Sequence, residues 1–320
     1  MSDFDLPAAE ELPLELLLRL ARREIEDDDG DGVMPSLLAL HRRPTRAVFD
    51  RAAALVGDSD AAQRELGVRI LRELGDEQPG GRRPFSDETV SLMRVRLREE
   101  TDPAVTYWIV SALGYHRGQE ALSEVVALAG HPDDRVRFHV AAALPGLVDL
   151  DCVEPEAADA LIRLCHDDDA DTRYYALYAA TREIGGLDVQ AVTRLAVQLE
   201  DDPDEQVRRM AAAHHEAIRE VRMLLCGVFE PGKITGAYDF LIGPVLVALA
   251  CAGDAADAHL WLDEQIRRHL GDGGDVVGGQ VGPRADVAGR DSGAQLHHQH
   301  HRHDHGRRLD GTLKVLTQRC

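Results

Sequence analysis

Few residues in this 320-residue chain have the types and spacing that do chemistry. The most suggestive set is His214-His215-Glu216. A His-Glu pair on a helix can give two ligands to a divalent metal, but a metal site needs further ligands converging from other helices. His41, His116, His131 and His166 are scattered with no matching Glu beside them, so surface polarity is the stronger expectation for the pair. A second set lies near the end of the chain: His297, His298, His300, His301, His303 and His305, with Asp304 among them. Clustered imidazoles bind Ni, Zn or Cu, and the carboxylate could add an oxygen ligand. Two further stretches fall short of known ion-binding loops. Asp27 to Gly32 opens like a calcium loop, yet the ninth position is Pro35 and the twelfth is Leu38, where a bidentate Glu is needed. Gly227 followed by Gly232-Lys233 has the spacing of a phosphate loop, but Ile234 stands where Ser or Thr would hold magnesium and no strand precedes it. Both read as loops between helices.

A third set could bind without catalysing. Seven of the fourteen aromatic residues fall in three successive segments: Tyr107, Trp108, Tyr115, Phe138, Tyr174, Tyr175 and Tyr178. Counted from Val105, Val136 and Thr172, the residues Tyr107, Phe138 and Tyr174 share the second following position. Trp108, His139 and Tyr175 share the third. On a helix the starting residue and its fourth, seventh and eighth successors form one face, so these rings lie opposite it or on its flank. Such a stripe either fills space left by small neighbours or presents an interaction surface.

The elements that would position these residues are repeats. His131 to Leu147 reads HPDDRVRFHVAAALPGL: helix-opening Pro and Asp, then Val136-Arg137, then the small-residue run Ala141 to Ala143. The same grammar returns after Asp169 to Asp171 with Thr172-Arg173, and after Asp202-Pro203-Asp204 with Val207-Arg208. Weaker copies follow Asp102-Pro103 and surround Arg64. Superposed, they place Arg64, Thr106, Arg137, Arg173 and Arg208 in one column at intervals of 42, 31, 36 and 35 residues. Asp and Pro open helices, Val and Leu at helical spacing form a buried stripe, and Ala lets helices approach. A period of this length marks stacked helix pairs. The column arginines are expected to form a structural ladder, pairing with the capping Asp133, Asp171 and Asp204 of adjacent repeats.

The pattern D-P-D-x-x-V-R-x-x-A-A resembles HEAT-repeat proteins, in particular the short bacterial HEAT-like repeats shared with phycobilin lyases, over roughly residues 34–270. The resemblance implies an all-α fold, an α-solenoid of stacked antiparallel helix pairs. Deoxyhypusine hydroxylase is a HEAT-like enzyme whose iron pair is held by recurring His-Glu dipeptides. Here His215-Glu216 stands at a comparable place, but the corresponding positions elsewhere are Leu71-Arg72, Leu113-Gly114, Leu144-Pro145 and Ala180-Thr181. The likeness to phycobilin lyases rests on generic repeat positions, not catalytic ones.

Composition narrows the partners. The net charge is −21, and residues 271–320 hold seven basic against six acidic residues, so the acidity belongs to residues 1–270. An acidic array with no basic stripe repels phosphate backbones, which argues against nucleic acid. The five cysteines form no C-x-x-C and suit a reducing cytoplasm. The longest apolar run, 240–252, is too short to span a bilayer. Residues 1–33 read as a capping helix with an acidic loop, 34–270 as the repeat array, and 271–320, rich in Gly, Asp and His, as a disordered tail. Helices are expected near 11–25, 36–56 with a break at Pro44, 60–75, 86–98, 103–115, 119–129, 134–147, 156–166, 170–184, 188–199 and from 204 to about 226, then near 238–252 and 255–270. The expected role is a cytoplasmic scaffold or adaptor that binds another protein and needs no cofactor. The alternatives are a lyase-like or metal-dependent hydroxylase-like enzyme, and Ni or Zn handling by the tail.

Overall fold

In a computed structural model, residues 11–27, 33–79 and 81–228 are described, with side chains as far as residue 218. The two expected helices after residue 237 and the His-rich tail lie outside the described residues, as do Asp28 to Gly32 of the calcium-like loop. The chain divides into two compact units at Val148 and Asp149. The fold is all-α, an α-solenoid built of helix pairs, with no β-strand among the described residues.

The first unit begins with α1 (Leu14–Glu26), α2 (Pro35–His41) and α3 (Arg46–Val56). Pro44 breaks the helix between the last two, as its ring requires, and the Thr45 hydroxyl accepts from Val48 N to restart it. Next come α4 (Ala61–Arg72), α5 (Ser86–Leu97) and α6 (Pro103–Tyr115). The expected helix at 119–129 is instead a short α7 (Leu122–Val126) flanked by 3-10 turns at Gln119–Ala121 and Ala127–Gly130. The unit closes with α8 (Asp134–Leu147), which runs past Pro145 and ends two residues later. In this unit α4 packs on α6 and α6 on α8. The second unit holds α9 (Pro155–Leu164), α10 (Ala170–Tyr178), α11 (Val189–Leu199) and α12 (Glu205–Val228), with α10 against both α9 and α12. α10 does not continue as a regular helix to residue 184. It runs into a π turn, Ala179–Glu183, in which Ile184 N donates to Ala179 O five residues back.

The repeat grammar is visible atom by atom. Asp60, Asp102, Asp133, Asp169 and Asp204 each accept from a backbone N–H of the first turn they open. Each such cap contributes about 1 kcal/mol. Val105, Val136, Thr172 and Val207 are fully buried one turn later, and Ile109, Val140, Ala176 and Ala211 continue the stripe. Small residues then set the helix spacing. A Cβ added at Gly146 would lie 2.3 Å from the Gly114 carbonyl oxygen, and one added at Gly114 would lie 2.9 Å from Ala143 Cβ. α6 and α8 therefore touch backbone to backbone.

The arginine column is structural, but its partners differ from those expected. Every column arginine folds back on its own loop through Nη1, which donates to the two carbonyls five and six residues earlier. Arg64 reaches Asp58 and Ser59, Arg137 reaches His131 and Pro132, Arg173 reaches Asp167 and Asp168, and Arg208 reaches Asp202 and Pro203. In Arg64 and Arg173 the other edge of the guanidinium meets a carboxylate two residues before the next repeat's cap, not the cap itself. Arg64 pairs with Glu100 through two hydrogen bonds of 2.8 Å, and Arg173 pairs with Asp202 at 2.8 and 2.9 Å. Asp133 and Asp204 are occupied in capping, and Asp133 also holds Arg135, while Asp171 sits exposed in the first turn of α10. The position two before the cap also accepts the cap residue's own N–H in every repeat, through Asp58, Glu100, His131, Asp167 and Asp202.

One joint is blank on both sides. Thr106 replaces the arginine and bonds its own Asp102 carbonyl, and the next repeat carries His131 where the others carry a carboxylate. Supplying both halves together, Thr106→Arg with His131→Asp, should add a rung. The expected result in a double-mutant cycle is favourable coupling of about 1 kcal/mol or more, read by denaturant unfolding. Additive effects would show that the rung does not form.

Candidate functional site

In the first unit aromatic residues of α6 and α8 form a connected face, bordered by side chains of α4. Tyr107 stacks on His139 with ring centroids 4.7 Å apart, and lies 5.3 Å from Trp108. His139 also meets Trp108 at 5.7 Å and Phe138 at 5.0 Å, both edge-on. Guanidinium groups lie over the same rings. Arg135 sits 5.4 Å from Tyr107, Arg69 4.5 Å from Trp108, and Arg72 3.8 Å from Tyr115. Each such cation–ring contact is worth about 0.5–1 kcal/mol when exposed and more when desolvated. Tyr107, Trp108, Tyr115, Phe138 and His139 are all half-buried. The two readings of the stripe are thus both physical: the rings pack on one another and still show a face to solvent.

The face is locally balanced in charge. Glu65 accepts from the Trp108 indole N–H at 3.2 Å and pairs with Arg69. Arg72 is buried, bonds Ser111 Oγ at 2.8 Å and pairs with Glu73, while its Nη2 has no acceptor and the guanidinium lies against the Tyr115 ring. The neighbouring histidines serve the helices. Nε2–H of His41 donates to Arg69 O and that of His116 to Leu71 O, so both tie down carbonyls of the last turn of α4. Burial holds His116 down to about 4, so it is neutral at physiological pH.

In the second unit Tyr174 and Tyr175 meet edge-on at 5.7 Å, and Tyr178 lies one turn beyond them, half-buried. His214 and His215 diverge. His215 is exposed and its Nδ1 pairs with Glu200 at 2.6 Å, whereas His214 is buried. Among the described residues no group of three or more His, Cys, Asp and Glu converges as a metal set. Gly227 lies inside α12, and Gly232-Lys233 and the six tail histidines lie outside the described residues. Cys165 is buried, which pushes its thiol upward, and Cys152 is exposed.

The sequence reading missed the π turn and the two ionisable groups on it. Arg182 and Glu183 read as the polar end of a helix. Burial instead pulls Arg182 down and pushes Glu183 up to about 7. No helical periodicity announces a turn that holds one extra residue.

Residues 91–180 match the family model of HEAT repeats, the same stretch in which the Asp caps, the buried Val stripe and the Arg column recur. The chain carries HEAT-like repeats. The HEAT-like fold is also that of the X-ray structure of YibA from E. coli, which is 18% identical with a TM-score of 0.51 over 83% of this chain and 90% of that one. A designed armadillo repeat protein matches at 14% identity and a TM-score of 0.36, over 61% of this chain and 98% of that one. No curated protein matches the sequence. Among the described residues of this HEAT-like chain, no helix is long and apolar enough to cross a membrane.

Proposed function

We propose that the protein is a non-catalytic scaffold or adaptor that binds another protein through the aromatic face of α6 and α8. The observation that carries this reading is the row Trp108–Tyr107–His139–Phe138, rings in mutual contact, half-exposed and bordered by guanidinium groups. Interfaces are enriched in such residues, and pre-stacked rings lose little conformational freedom on binding. HEAT-like arrays are suited to this role because each repeat adds surface without adding a closed cavity. The net charge of −21 favours a protein over a nucleic acid as the partner. The proposal includes a cytoplasmic setting, an array over residues 34–270 preceded by a capping segment at 1–33, and a tail at 271–320 whose histidines take up Ni or Zn.

Photocrosslinking tests the face. A photoreactive residue at position 107 should capture one defined partner in cells, and the same residue at Val95, which is 55% exposed on α5, should not. Phe138→Ala should reduce that capture by roughly 30-fold, the effect of about 2 kcal/mol from one anchoring ring, with the helical spectrum unchanged. Equal capture at positions 107 and 95, or no change with Phe138→Ala, overturns the assignment.

A further inference from the structure

Helix α4 ends on a buried charge. Arg72 is 6% exposed, and its Nη2 is buried with no hydrogen-bond partner. Burial pulls its pKa down, and Arg69 and Arg83 add like-charge repulsion that Glu73 only partly offsets. A buried guanidinium with an open donor carries a desolvation cost, and an apolar side chain of similar size at such a position is often neutral or stabilising. Packing alone therefore does not call for a charge here.

What the guanidinium does meet is two rings. Its Cζ lies 3.8 Å from the Tyr115 centroid and 5.3 Å from that of Trp108, and its Nε donates to Ser111 Oγ at 2.8 Å. Trp108, Ser111 and Tyr115 follow one another at helical spacing on α6, so they form one stripe, with the two rings roughly 10 Å apart along the axis. Arg72 thus reaches from α4 to the middle of that stripe. Beyond Tyr115 stands Arg83, 5.7 Å from its ring, on the loop between α4 and α5. That loop lies in the longest repeat interval, 42 residues from Arg64 to Thr106 against 31 to 36 for the others. Insertions in repeat arrays emerge as loops on one face, often the binding face.

We propose that Arg72 is a positioning residue that holds the Tyr115 ring in line with Trp108, so that the partner is contacted along the whole of α6, from Tyr107 to Tyr115 and Arg83. The inference rests on the aromatic face being a protein-binding surface. Arg72 does not itself touch the partner, since it is buried while both rings are half-exposed.

The test uses the full chain with a photoreactive residue at position 107 or 115, and the variants Arg72→Met and Tyr115→Leu. Fluorotyrosine labelling adds a readout that needs no partner: the 19F line of Tyr115, identified by its absence from Tyr115→Leu. Position 115 should capture the same species as position 107. Arg72→Met should melt no lower than the natural chain, yet narrow the Tyr115 line as the ring gains freedom and reduce capture from position 107 about tenfold. Tyr115→Leu, which leaves the hydrogen bonds of Arg72 in place, should reduce that capture to a similar degree. A lower melting temperature for Arg72→Met would make Arg72 an ordinary structural residue and overturns the proposal, as does an unchanged Tyr115 line. Capture at 107 with none at 115, or undiminished by Tyr115→Leu, removes the extension and leaves the face of α6 and α8 standing. No capture at 107 by the natural chain removes the face as well.

Discussion

Glu100→Ala lowers stability by about 3–5 kcal/mol, the usual cost of removing one partner from a buried ion pair, and lowers the melting temperature by on the order of 10 °C. No other side chain in the described residues collects so many donors. Its two oxygens accept from Arg64 Nε and Nη2, from Arg96 Nε, and from the backbone N–H groups of Thr101 and Asp102. The Glu100 side chain is fully buried, and that of Arg64 is 9% exposed. Truncation would leave Arg64 with an uncompensated charge inside the protein and would loosen the loop that starts α6. Burial on its own would raise the Glu100 pKa, but the bonds from Arg64, Asp102 and Arg96 outweigh it and hold the carboxyl at about 2 instead of its ordinary 4.5. A carboxyl with a depressed folded-state pKa stabilises fully above its unfolded value and loses that contribution as pH falls toward the folded one. The natural chain should therefore lose stability between about pH 4.5 and 2, and Glu100→Ala should show a flatter profile there. Chemical denaturation at several pH values measures both. A variant as stable as the natural chain at pH 7 would show that the pair only offsets its own desolvation.

Gly146→Val should be comparably damaging for a purely steric reason. The new Cβ would start 2.3 Å from a backbone oxygen of α6, and a carbonyl on a helix cannot swing aside as a side-chain tip can. The two helices would have to separate, breaking the contact that also seats Ala143 against Gly114. Overpacking typically costs about 1–3 kcal/mol, and a backbone-to-backbone clash belongs at or above the top of that range. Gly130→Val, where no atom lies within 4 Å of an added Cβ, is the matched control. Similar losses at the two sites would mean that helix propensity, not the close approach, sets the cost.

Much of this was legible in the chain. Asp, Val, Arg and Ala recur with a spacing that only stacked helix pairs explain, and α6 and α8 begin and end where the pattern says. The column arginines were recognisable as one register. Their acceptors were not, because the position two before each cap is filled by Asp, Glu or His, a mixture that hides a shared geometric role. The aromatic stripe was legible as a register of Tyr107, Phe138 and Tyr174, but whether such rings are covered depends on neighbouring helices. Likewise His215-Glu216 looked like a pair in sequence, and in space His215 turns to Glu200. The π turn left no trace in the pattern, so the placement of Arg182 and Glu183 on it could not be foreseen.

The blank joint at Thr106 and His131 gives the repeats an order. Arg64 and Arg173 are each paired with the residue two before the following repeat's cap, so a repeat has an upstream and a downstream identity. Excising one repeat as residues 100–130 would set Arg64 against His131 and leave a guanidinium facing an imidazole. The modules are alike enough to have arisen by copying, yet they are no longer interchangeable. Shortening or shuffling this array is an edit with a wrong and a right place to cut, and the residue two before each cap marks where the ends agree.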